Sequence, residues 1–145
     1  MSEIRFYSTQ DRWGEFSNFA AYPIRLRKKR WPTSEHYFQA MKFGAVETQE
    51  RIRKAKSPMI AARIGRSRKL PLRRDWESAK IDVMRTAVRA KFTQHDELRD
   101  LLLSTKDAKL VERTSNDSFW GDGGDGRGLN WLGRILMQVR AELSE

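Results

Sequence analysis

Glu35, Gln39 and Lys42 have the residue types and the spacing of a reacting group. They fall in a stretch, Ser34 to Phe43, whose apolar residues have helical spacing. At the ideal helical period their three side chains share an arc of roughly 60°. Tyr37 and Met41 then point the opposite way, into a core. A carboxylate and an amine on one face can supply a general acid or base and a nucleophile. The same pattern fits a solvated polar stripe, which is the commoner outcome of such spacing. Phe38 beside the stripe favours a pocket, because an aromatic on a wet face needs a reason.

A second constellation is Ser118-Phe119-Trp120-Gly121-Asp122-Gly123-Gly124-Asp125-Gly126-Arg127-Gly128, which holds five of the nine glycines. Glycines let the backbone approach a ligand closely and turn N–H groups toward anions. Asp122 is a candidate catalytic carboxylate, with a structural turn as the alternative. The Gly-Lys-Ser/Thr ending of a phosphate loop is absent, and the spacing of Asp122 and Asp125 does not fit an EF-hand. A third, weaker candidate is Asn18 in Phe16-Ser17-Asn18-Phe19, an amide suited to a base edge or sugar hydroxyls and equally at home in a turn. His36 and His95 read as packing or surface residues. With no cysteine and two distant histidines, neither a thiolate nor a histidine-rich metal site is expected. No Gly-x-Ser-x-Gly nucleophile elbow occurs.

The elements that must position these groups are mostly helical. Thr33 is the expected N-cap of the 34–43 helix, with Glu35 in its first turn and Gly44 ending it. Further helices are expected over 46–56, from Pro58 to Gly65 behind the cap Ser57, from a cap at Asp75 to Phe92, over 96–104 and over 130–143. The 58–65 helix is expected to pack Met59, Ile60 and Ile64. Ala90 or Lys91 continues the apolar side of the long helix. Strands are expected at Ile4–Tyr7 and, by alternation, at Tyr22–Arg27. The fold class is therefore mainly α (α+β), a single helix-rich domain over residues 1–145 with a small sheet from the N-terminal third. Without βαβ alternation, Rossmann and P-loop architectures are not expected.

The 145 residues suit one domain, and 39% hydrophobic content is enough for a core. The net charge of +10 points to a polyanionic partner. It is concentrated in 25–30, with five Lys/Arg, and in 51–74, with ten Lys/Arg and no acid. A basic run is as often a solvated face as a binding surface. Trp31 and Trp76 lie near the two runs. No apolar run nears the roughly 20 residues that span a bilayer, and the N-terminus lacks the apolar core of a signal peptide. A cytoplasmic location without a membrane partner is expected.

Several blocks together resemble the YbiA-like family, also called NADAR: Phe16-Ser17-Asn18-Phe19, Trp31-Pro32-Thr33-Ser34-Glu35-His36-Tyr37-Phe38-Gln39-Ala40, Pro58-Met59-Ile60-Ala61-Ala62-Arg63, Trp120-Gly121-Asp122-Gly123 and Asn130-Trp131-Leu132-Gly133. The likeness runs in order from about residue 4 to 143. It implies a helix-rich N-glycosidase without cofactor or metal. The implied substrate is a phosphorylated ribosylamino-pyrimidine intermediate of riboflavin biosynthesis. The alternative is removal of ADP-ribose from guanine in DNA, with DNA as the partner. A non-enzymatic ADP-ribose-binding module is a third reading, opposed by the presence of both Glu35 and Lys42.

By this resemblance Glu35 is the acid/base, Lys42 an imine-forming nucleophile, and Asp122 the acid of the Trp-Gly-Asp-Gly loop. Substrate contacts are expected from Asn18, Phe19, Gln39, Arg63, Trp76, Trp120, Gly121 and Asn130, with Arg66 and Arg68 as further phosphate candidates. Imine chemistry requires burial or cationic neighbours to lower the pKa of Lys42. The basic segment before Trp31 and the run Asp125-Gly126-Arg127 depart from the family pattern.

Overall fold

The computed structural model describes residues 2–145. In chain order its elements are β1 (Glu3–Phe6), β2 (Ile24–Leu26), β3 (Lys29–Trp31), α1 (Ser34–Ala40), α2 (Val46–Arg53), α3 (Pro58–Gly65), α4 (Trp76–Gln94), α5 (Asp96–Ser104), β4 (Lys109–Glu112) and α6 (Trp131–Leu143). The chain divides into two compact units, one of residues 1–20 and 92–145, the other of residues 21–91. The helix-rich fold class is as expected. Among the described residues no helix is long and apolar enough to cross a membrane.

In the unit of residues 21–91, β2 and β3 form an antiparallel hairpin that pairs Ile24 with Trp31, Arg25 with Arg30 and Leu26 with Lys29. The two loop residues, Arg27 and Lys28, both take positive φ, 57° and 64°. This primed turn matches strand twist but suits Asn-Gly, since a side chain there crowds its own backbone. Arg27→Asn with Lys28→Gly is expected to stabilise the hairpin by about 1–2 kcal/mol, seen as a higher melting temperature. An unchanged or lower one would contradict the assigned strain. Lys29 Nζ and Arg53 both bind the Glu50 carboxylate, at 2.9 and 2.6 Å, and so tie the hairpin to α2. Arg53 and then Lys29 hold the Glu50 carboxyl at about 2.

Thr33 caps α1, its hydroxyl accepting from His36 N at 3.1 Å. Every residue of α1 is buried, its polar ones included. Trp31 meets Tyr37 edge-on at 5.2 Å, and its indole N–H donates to Leu26 O. The helix ends at Ala40 rather than Phe43. Lys42 N and Phe43 N reach back three residues, to Gln39 O and Ala40 O, so Lys42 sits in a tightened last turn. The carbonyls left over find donors elsewhere: Arg73 serves Met41 O and Lys42 O, and Gln49 Nε2 serves Phe43 O.

α3 buries Ala61, Ala62 and Gly65, while Met59 and Ile60 are exposed. This overturns the expected apolar face. α3 lies so close to α1 that only small residues fit between them, and bulk is turned outward. Lys91 of α4 is 1% exposed, with Nζ 5.9 Å from the centroid of the Tyr22 ring.

In the other unit β1 pairs in parallel with β4, Ile4 opposite Leu110 and Phe6 opposite Glu112. The N-terminal strand's partner thus comes from near the other end of the chain, not from the N-terminal third. α6 packs on β4 and α5 on α6. Phe16 meets Phe6 edge-on at 5.7 Å and Phe92 at 5.8 Å. Leu98, Leu102, Leu110, Leu132, Ile135, Leu136 and Val139 complete the core.

Candidate active site

α1 and the turn after it bring Glu35, Gln39 and Lys42 together in the unit of residues 21–91. Glu35 is 7% exposed and Gln39 3%, so the polar stripe is buried rather than solvated. Gln39 Nε2 donates to Glu35 Oε2 at 2.7 Å, an i,i+4 contact along the helix. Its Oε1 is buried and has no hydrogen-bond partner. The Lys42 ammonium is 3.5 Å from Gly65 O and 5.7 Å from the centroid of the Phe38 ring. Burial lowers the Lys42 pKa, Arg66 and Lys80 lower it further, and Glu35 works against them. The condition that imine chemistry sets is met in direction.

Trp76 packs on Phe38 at 5.2 Å and is 6% exposed, so most of its ring is spent on the core and little is left for a substrate face. Arg63, Arg66 and Arg68 are exposed on and just beyond α3. His36 is a structural residue. Its Nε2 faces Ala55 O at 2.9 Å and must carry the proton, which leaves Nδ1 to accept from the Thr33 hydroxyl at 2.8 Å. Burial lowers its pKa and keeps it neutral.

The glycine-rich segment is a built loop of the other unit. Asp122 is 2% exposed. Its Oδ1 accepts from Thr114 N at 3.1 Å and Gly124 N at 2.8 Å, and its Oδ2 lies 3.3 Å from Arg113 Nη1. Burial pushes the carboxyl pKa up, but the Gly124 and Thr114 amides and Arg113 outweigh it, so the group stays below the ordinary aspartate value. Gly123 and Gly124 take φ of 74° and 87°, where a side chain would be strained. Asp117 Oδ1 accepts from both Phe119 N and Trp120 N. Trp120 is half-buried and meets Phe119 edge-on at 4.8 Å. Gly121 is buried, and its carbonyl accepts from Asn130 N.

Asn130 departs from the substrate contact expected of it. It enters α6 at φ 53°, and its amide joins the β4 backbone, accepting from Glu112 N at 3.0 Å and donating to Leu110 O at 2.9 Å. Asn18 is buried and Phe19 half-buried, in a turn where Phe19 N donates to Ser17 Oγ. A cavity of about 450 Å³ is lined by Phe119, Gly123, Asp125, Arg127 and Leu129 among others, and none of the three expected catalytic residues lines it.

The residues that sequence reasoning missed are Gly65 and Lys80. Gly65 reads as a helix end, and Lys80 as one cation of a helix surface. No local signal marks either, since each matters through a group on another element.

Comparison with known proteins gives the family. The model of the NADAR domain matches residues 5–144. The chain is 61% identical over 141 residues to the N-glycosidase YbiA of Escherichia coli K12, covering 97% of this chain and 88% of that protein. It is 47% identical over 155 residues to the chloroplastic riboflavin biosynthesis protein PYRR of Zea mays, covering 97% of this chain and 25% of that one. The NMR structure of E. coli YbiA matches with a TM-score of 0.92 at 60% identity, covering 99% of this chain and 85% of that one. A family model over nearly the full length, and a relative that shares three residues in five, place the chain in the NADAR family as an N-glycosidase.

Proposed function

We propose that the chain hydrolyses the ribosyl N–C bond of a phosphorylated ribosylamino-pyrimidine, with Glu35 as acid/base and Lys42 as nucleophile. One observation carries the reading: a buried carboxylate on α1 acts on a lysine in the turn that follows it, whose pKa burial lowers. The riboflavin-biosynthesis name of the maize relative supports the substrate class.

Cleaving this bond builds positive charge on the sugar, which a neighbouring carboxylate stabilises. A ribosylamine also ring-opens to an imine. The neutral Lys42 amine adds to its C1′, and Glu35 as the acid passes a proton to the departing pyrimidine nitrogen. The C1′–N bond breaks, leaving C1′ doubly bonded to Lys42 Nζ. Water adds to that carbon, Glu35 takes its proton, and collapse frees the sugar phosphate and the amine. Arg66, the nearest of the three arginines to Lys42 in effect, suits the phosphate. In the other unit we assign Asp122 the positioning of the glycine loop through Thr114, Gly124 and Arg113, rather than proton transfer.

Incubating the protein with the phosphorylated ribosylamino-pyrimidine should release free pyrimidine and ribose phosphate in equal amounts. No release above the spontaneous rate would overturn the reading. The basic surface favours a second substrate, ADP-ribosylated DNA: Arg27, Lys28 and Arg30 of the hairpin and Arg51, Lys54 and Lys56 are all exposed. That reading requires turnover of an ADP-ribosylated oligonucleotide, with binding that weakens steeply as salt rises.

A further inference from the structure

Gly65 lies where α3 comes up against Gln39 of α1. It has ordinary helical backbone, so space rather than conformation explains why it is glycine. A Cβ built there would lie 2.1 Å from Gln39 Oε1, 2.8 Å from Gln39 Cδ and 2.9 Å from Gln39 Cβ. No side chain fits at position 65 while Gln39 keeps its place. The glycine is therefore required by its neighbour on α1 rather than by its own backbone.

That space serves one hydrogen bond. Gln39 turns its amide N–H toward Glu35 and leaves Oε1 facing the Gly65 α-carbon without a partner. A buried acceptor left unpaired is unfavourable. The reversed amide would set its oxygen against the Glu35 carboxylate instead. The arrangement therefore makes sense only if a fixed donor on Glu35 is what matters. The Gly65 carbonyl also faces Lys42 Nζ, at 3.5 Å, so one residue borders two of the three polar groups of the stripe.

We propose that Gly65 is a positioning residue of the active site: its missing side chain is the space that holds the Gln39 amide on Glu35, and through it fixes where the acid/base carboxylate stands. The inference rests on the reading of Glu35 as the acid/base, and its tests separate the two.

Gly65→Ala should lower kcat on the ribosylamino-pyrimidine about 10²-fold, the scale of a small misplacement of a reacting group, and lower the melting temperature as the crowded contact opens. Gln39→Ala should lower it similarly. In a Gln39→Gly background all three close contacts are gone, and adding Gly65→Ala should change kcat by less than about twofold, because the two act as one unit. A structural role for Gly65 predicts instead that the losses multiply, and that result overturns the proposal. The double variant keeps the test open if Gly65→Ala alone does not fold.

A readout without substrate is titration of the ¹³C-labelled Glu35 carboxyl by NMR. Its midpoint should rise in Gly65→Ala and in Gln39→Ala alike, since each removes a donor to the charged form. A midpoint that moves only in Gln39→Ala refutes the link to Gly65. Normal kcat in Glu35→Gln would defeat the acid/base reading, while the titration would still report on the Gly65–Gln39–Glu35 contact.

Discussion

Glu35→Gln is expected to lower kcat about 10³-fold or more, with the fold intact. General acid–base groups contribute about 10²–10⁴-fold, and this carboxylate also offsets the charge that grows on the sugar. The substitution is clean because glutamine keeps the shape and can still accept the Gln39 amide at the 2.7 Å contact. It also removes a buried charge, so the melting temperature should hold or rise. The effect on Lys42 sharpens the test. Glu35 is the one neighbour that holds the Lys42 pKa up. Without it the amine is neutral at lower pH and more available to attack, so a fall in kcat cannot be blamed on a protonated nucleophile. Steady-state kinetics beside calorimetry decide the matter, and turnover within tenfold of the unaltered protein would remove Glu35 from the chemistry.

How much of this site can be read from the sequence depends on how local each cause is. The Thr33 cap and the 3.6-residue period set the register of α1, so the grouping of Glu35, Gln39 and Lys42 is visible without a structure. Whether that face is wet or buried is not, because the covering groups come from α3 and α4. The early end of α1 is hidden for a similar reason: Arg73 and Gln49, distant in sequence, take the carbonyls at 41–43. The buried face of α3 differs from the expected one because hydrophobicity ranks Met59 and Ile60 above Ala61, Ala62 and Gly65, whereas a close helix contact selects for size. β4 is four residues long, and its partner strand lies near the other end of the chain. Asp122 and Asn130 carry polar groups that suit a ligand, yet backbone amides and carbonyls of their own unit occupy them. Residue type shows what a side chain can bind, and only tertiary context shows what it does bind.

Lys42→Arg should abolish borohydride trapping of a substrate adduct and lower kcat about 10³-fold, the equivalent of ~4 kcal/mol in the barrier. Arginine keeps the positive charge but has no free pair for an imine at any accessible pH. Loss in Lys42→Arg as well as Lys42→Ala therefore separates nucleophile from counter-charge, and an adduct that survives in either would move the nucleophile elsewhere. The pH dependence gives an independent check. Attack requires the neutral amine, so trapping should rise with pH and level off once the lysine is deprotonated. Burial is the leading cause that lowers this pKa, followed among the lowering causes by Arg66 and Lys80, so the plateau begins below the ordinary lysine range. Lys80→Gln removes one lowering cation and should move that limb to higher pH. A limb that ignores Lys80, or one that sits where a solvated lysine titrates, would mean that Lys42 is not the group whose proton controls the reaction.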